Sequence, residues 1–126
     1  MSKLSLDAIP NRLLALGAFC VALFVFSLFN WDRELVRLEC RFMVFVRELA
    51  ANGGHASLFP TLYGAPYMDY PATYTIIAYW LSRAFGGIST FALTLPIGLA
   101  VAGATALSFL IGSAHSKKLG LTAALL

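Results

Sequence analysis

The sequence predicts an all-α membrane fold, with polytopic helices and one amphipathic helix between the first and second spans. Two observations predict it. Of 126 residues, 60% are hydrophobic and only 12% are charged, with a mean hydropathy of +0.79. A soluble domain carries roughly a quarter charged residues and cannot cover its surface with so few. Second, the apolar residues gather into long uncharged stretches over 13–29, 70–82 and 84–114. The net charge is +3, but the nine Lys and Arg are scattered and form no basic tract, which argues against nucleic acid as a partner.

The elements follow in order. Residues 1–12 form a short N-terminus bearing Lys3 and Arg12. Residues 13–31 are the first transmembrane helix, since 17 uncharged residues approach the ~30 Å of bilayer hydrocarbon at ~1.5 Å each. No pair of small residues marks a cleavage site near Ser27-Leu28-Phe29-Asn30, and Trp31 reads as an interfacial anchor, so the helix is expected to stay uncleaved. Cys20 lies mid-span and Cys40 beyond it, and both read as packing residues rather than a disulfide.

Residues 32–70 form a loop that contains an amphipathic helix over 33–50. At about 100° per residue, Leu35, Leu38, Phe42, Phe45, Val46 and Leu49 share one arc. Arg33, Glu34, Arg37, Arg41, Arg47 and Glu48 fall opposite, as suits a helix lying in the membrane interface. Glu39 breaks the pattern, because it falls inside the apolar arc about 40° from Leu35. A carboxylate there needs an ion-pair partner such as Arg37, or a functional task, since burying it alone is expensive.

Residues 71–85 are expected to be a second, short transmembrane helix, begun by Pro71 and ended by Gly86-Gly87, with Arg83 snorkelling to the headgroups. Residues 89–113 are the third; Pro96 is tolerable when neighbours satisfy the freed backbone. Gly98, Ala102 and Ala106 suit close helix contact there. Residues 114–126 read as a loop and the start of an incomplete further helix. His55 and His115 stand apart in the sequence, so no metal site is expected. No motif for a nucleotide or other soluble cofactor is present.

Several segments, taken together, resemble a known family. Glu39-Cys40-Arg41-Phe42 followed by Arg47-Glu48-Leu49 is similar to the Asp-Glu-x-Arg-Tyr … Arg-Glu-Met helix of GT-C glycosyltransferases. These include bacterial aminoarabinose transferases and protein O-mannosyltransferases. Residues 59–71, Phe-Pro-Thr-Leu-Tyr-Gly-Ala-Pro-Tyr-Met-Asp-Tyr-Pro, resemble that family's Val-Pro-Arg-Leu-Asn-Gly-x-Pro-Tyr-Leu-Glu-Lys-Pro. Tyr79-Trp80-Leu81 and Phe85-Gly86 extend the match, which covers residues 11–126 in order.

The resemblance implies an N-terminal fragment of a multi-pass enzyme of the bacterial inner (cytoplasmic) membrane, truncated after about three spans. The N-terminus would be cytoplasmic, and residues 32–70 extracytoplasmic. The reaction implied is transfer of a sugar from a polyprenyl-phosphate donor to an extracytoplasmic acceptor. Glu39 and Asp69 would then be catalytic, with a divalent cation as a candidate ligand of Asp69. Arg37, Arg41, Tyr67 and Tyr70 would bind the donor, and membrane lipids would be further partners. Tyr67, Tyr70, Tyr74 and Trp80 would sit at headgroup level.

Two positions depart from the family's pattern. Leu38 stands where its first acidic residue is expected, and Tyr70 where it has a lysine. In the implied topology Arg33, Arg37, Arg41, Arg47, Lys117 and Lys118 are outside, against Lys3, Arg12 and Arg83 inside, which runs against the positive-inside tendency. The alternative expectation is a complete small membrane protein acting as a non-catalytic binding or scaffolding subunit.

Overall fold

The computed structural model of the chain describes residues 9–31, 34, 38–55 and 57–126. They form five helices and one small hairpin: α1 Asn11–Asn30, α2 Leu38–Ala51, β1 Thr61–Leu62, β2 Ala65–Pro66, α3 Thr73–Ala84, α4 Thr90–Ser113 and α5 Lys117–Leu125. The fold is thus mostly helical, with the β1–β2 pair as a departure from the all-α expectation. Two compact units result, one of Phe29–Pro96 and one of the residues up to Leu28 together with Ile97–Leu126.

In the second of these, α1 and α4 run antiparallel. At one end Asn11 Nδ2 donates to Ser113 Oγ at 3.3 Å, and Lys117 Nζ donates to the Ile9 carbonyl at 2.7 Å. Towards the other end a Cβ on Gly98 would stand 2.6 Å from the Phe26 ring, so only glycine lets that ring close on α4. Ala102, one turn on, is fully buried, whereas Ala106 of the same stripe is half-buried. Ser116 caps α5 by accepting the Leu119 N–H at 3.1 Å. The residues expected to begin a further span form this nine-residue helix, which folds back so that Gly120 rests on Gly112.

The unit Phe29–Pro96 is built where α2 packs on α3. Val46 and Leu49 of α2 meet Ala78 and Tyr79 of α3 and Leu93 of α4 in one buried cluster. The apolar arc of α2 therefore closes largely on protein. Both α2 and α3 end in glycine-terminated Schellman turns: Gly54 N–H bonds to Leu49 O at 2.9 Å, and Gly87 N–H to Ser82 O at 2.8 Å. Gly53 and Gly86 supply the required positive φ, 66° and 79°. Ser89 caps α4, its hydroxyl accepting the Ala92 N–H at 3.2 Å. Pro96 removes a donor from the first turns of α4, and the Tyr74 hydroxyl donates to the Leu93 carbonyl beside that gap.

Two helix descriptions differ from the sequence expectation, and the start of a third lies outside the described residues. The helix expected over 33–50 is seen from Leu38; Asp32, Arg33 and residues 35–37 lie outside the described residues, as do the side chains of Leu38 and Glu39. The helix expected to begin at Pro71 begins at Thr73, with Ala72 at its N-cap. Most consequential, α3 has 12 residues and is ~18 Å long, well short of the ~30 Å hydrocarbon. Among the described residues α1 and α4 alone are long and apolar enough to cross a membrane, with mean hydropathies of 2.3 and 1.9.

The Gly112–Gly120 contact is directly testable. A Cβ at Gly112 would lie 2.8 Å from the Gly120 Cα, a backbone atom that cannot swing aside, whereas Gly103 has open space. Gly112→Ala should cost about 1–3 kcal/mol, measured as thermal unfolding in detergent micelles. Gly103→Ala should be neutral or gain up to ~1 kcal/mol through helix propensity.

Candidate functional site

The first part of the site is a turn held by one carboxylate. Thr61 pairs with Pro66 and Leu62 with Ala65, leaving Tyr63-Gly64 as a two-residue connection. Both have positive φ, 54° and 80°, which is the type I′ geometry matching the twist of a hairpin. For a tyrosine that conformation costs roughly 1–2 kcal/mol. Glu48 of α2 offsets it. Its carboxylate accepts the N–H of Tyr63 and, at 3.3 Å, the N–H of Gly64. A hydrogen bond from the Thr61 hydroxyl, together with these backbone donors, holds the Glu48 carboxyl below its usual 4.5 against the opposing effect of burial.

The hairpin thus pinned delivers Tyr67, whose N–H bonds to the Pro60 carbonyl at 2.8 Å. Its ring stands 5.5 Å from Phe45 of α2 and 5.9 Å from Tyr70, nearly parallel to the latter at 18°. Phe42 of α2 completes the shelf against Tyr70 at 5.6 Å and Tyr74 at 4.7 Å. Arg41 Nη1 then donates to the Tyr67 hydroxyl at 2.7 Å, its guanidinium carbon 5.3 Å from the ring centroid. The hydrogen bond between Tyr67 and Asp69 raises the phenol above its usual 10.0, with desolvation helping and Arg41 opposing. Arg41, Tyr67 and Asp69 therefore form one relay: guanidinium to hydroxyl to carboxylate.

Of the residues expected at the site, the structure brings together Arg41, Tyr67, Asp69 and Tyr70. Arg37 lies outside the described residues. Glu39 sits in the first turn of α2 and its side chain is not described. Asp69 is exposed and faces Tyr67. A cavity of about 150 Å³ lies nearby in the same unit, lined by residues that include Phe45, Asn52, His55, Phe59 and Thr75, and Asp69 is not among them. Among the described residues no three or more His, Cys, Asp or Glu gather to hold a metal ion.

Sequence reasoning missed Glu48, which reads as one more charge on a polar face. The Tyr63-Gly64 pair carried a readable signal, since X-Gly between short apolar segments marks a hairpin turn. Comparison with family models, with curated proteins and with solved structures gives no match.

The exposed carboxylate suggests a modest, pH-dependent effect. Because the folded pKa of Glu48 is lowered, its contribution is present above pH 4.5 and is lost as pH falls through the lowered value. Glu48→Gln should remove about 1 kcal/mol of local stability, at the low end for a bond to an exposed charged group. Amide exchange at Tyr63 and Gly64 should quicken roughly fivefold and lose that acid dependence. Unchanged exchange would mean the turn holds itself.

Proposed function

We propose that the chain is membrane-embedded and that the Arg41–Tyr67–Asp69–Tyr70 cluster receives the phosphate of a polyprenyl-phosphate sugar donor. It would do so as part of a GT-C-type glycosyltransferase of the bacterial inner membrane. The observation that supports this is the convergence of a guanidinium, two phenols and a carboxylate in a chain that also carries two helices of bilayer-crossing length. These four are among the six residues that the resemblance singled out, with Arg37 and the Glu39 side chain outside the described residues.

The chemistry of each group fits the task. Arg41 keeps N–H donors beyond the one given to Tyr67, and charge-assisted bonds to phosphate oxygens are the strong ones. Tyr70 stands where the resembled family has lysine, so it offers a hydroxyl while Arg41 supplies the charge. Asp69 orients donor or acceptor hydroxyls by accepting their hydrogen bonds. In the reaction the sugar's C1–O bond to phosphate breaks and a bond from C1 to the acceptor oxygen forms. The acceptor's proton passes to a carboxylate, with Asp69 the one in the cluster, and the polyprenyl phosphate departs.

The test is binding of a polyprenyl phosphate to the chain in lipid nanodiscs, read by native mass spectrometry. Arg41→Ala should weaken it about ten- to a hundredfold, the worth of one or two hydrogen bonds to a charged group. Arg47→Ala, exposed on α2, serves as the control for charge in general. Equal binding by the Arg41 variant and the parent, or an equal loss with Arg47→Ala, contradicts the reading.

A further inference from the structure

Helix α3 buries hydroxyl-bearing residues while leaving large apolar side chains open. Its buried stripe is Thr75, Ala78, Tyr79 and Ser82, at 2%, 0%, 5% and 3% exposure. Its open side carries Ile77 and Trp80, continued by Phe85, at 45%, 60% and 56%. The Ser82 hydroxyl is buried with no hydrogen-bond partner among the described residues. Water as the outer solvent would favour the opposite arrangement, since burying Ile and Trp gains free energy and burying an unpartnered hydroxyl loses it. The medium against this face is apolar.

The charges say which apolar medium it is. Arg83 lies with its guanidinium carbon 5.9 Å from the Trp80 ring centroid, and its Nη1 donates to the Tyr79 hydroxyl at 3.4 Å. Tryptophan beside an exposed arginine suits the boundary between acyl chains and anionic headgroups. At ~18 Å, α3 fits along that boundary and not across the bilayer.

The spans point the same way. Asn11 meets Ser113 at one end of the α1/α4 pair and Phe26 meets Gly98 towards the other, so the two helices run in opposite directions. Two antiparallel crossings need an even number of crossings between them.

We propose that α3 lies in the headgroup boundary with Ile77, Trp80 and Phe85 dipped into an anionic phospholipid surface, and that α1 and α4 are consecutive crossings. Residues 31–89 then stand on one side of the bilayer, and residues 9 and 116 on the other. Lys117 and Lys118 move to the side of Lys3 and Arg12, facing Arg33, Arg37, Arg41, Arg47 and Arg83 across the membrane. The charge imbalance of the three-span arrangement largely disappears. This topology rests on the bilayer length of α1 and α4 and is independent of the donor the cluster binds.

Two measurements test it. With Trp31→Phe, Trp80 is the sole tryptophan. The chain is reconstituted in phosphatidylcholine–phosphatidylglycerol vesicles doped with lipids brominated at shallow or deep acyl positions. Shallow bromines should quench Trp80 most, about 5–10 Å into the boundary. Strongest quenching by deep bromines would mean that α3 crosses. No quenching would mean that protein, such as a second copy of this chain, covers the face. Either overturns the proposal. In a Cys20→Ala, Cys40→Ser background, Ser57→Cys and His115→Cys should react with a membrane-impermeant maleimide from opposite sides. Reaction from the same side restores three crossings and sinks it. Polyprenyl-phosphate binding that persists after either failure would leave the donor reading standing without this topology.

Discussion

The seating of Val46 and Leu49 of α2 against Ala78 and Tyr79 of α3 is the constraint on which the candidate site depends. Burial of such side chains contributes about 1.5–3 kcal/mol each for the larger ones. Once that face is down, α2 has only one way to present its remaining residues. Phe42 and Phe45 form a shelf for the tyrosines, Glu48 reaches the hairpin turn, and Arg41 reaches Tyr67. Gly54 lets the seat close: a Cβ there would fall 2.7 Å from the Tyr79 hydroxyl.

The cluster combines rigid support with exposed chemistry. Aromatic rings of α2 pack against Tyr67 and Tyr70 of the turn segment before α3 and against Tyr74 within α3, so the turn is braced by ring contacts. The polar groups Arg41, Tyr67, Asp69 and Tyr70 are partly or fully exposed. Tyr67 is the link, accepting from Arg41 while bonded to Asp69, so neither charge is placed independently of the other.

Much of this was legible in the sequence, for reasons that can be traced. Phe42, Phe45, Val46 and Leu49 recur at helical spacing, and that spacing decides which face of α2 is buried. Gly86-Gly87 and the Gly98–Ala102 stripe act through backbone geometry, which composition reveals directly. Hydropathy counts Ile77 and Trp80 alike whether a helix crosses a bilayer or lies along it, so composition gives no sign that α3 has only 12 residues. Only contacts far apart in sequence, Asn11 with Ser113 and Phe26 with Gly98, fix the direction of α4. Glu48 escaped notice because an exposed glutamate is ordinarily solvated, and its acceptors' partners lie 15 and 16 residues away.

The central claim is that Arg41 and Tyr67 act on a bound phosphate as one unit. A double-mutant cycle measures it most directly, using polyprenyl-phosphate affinity for the parent chain, Arg41→Ala, Tyr67→Phe and the double variant. Coupling of about 0.5–3 kcal/mol is predicted, so that the second substitution costs much less once the first is made. Losses that add to within about 0.3–0.5 kcal/mol would show two independent residues and contradict it.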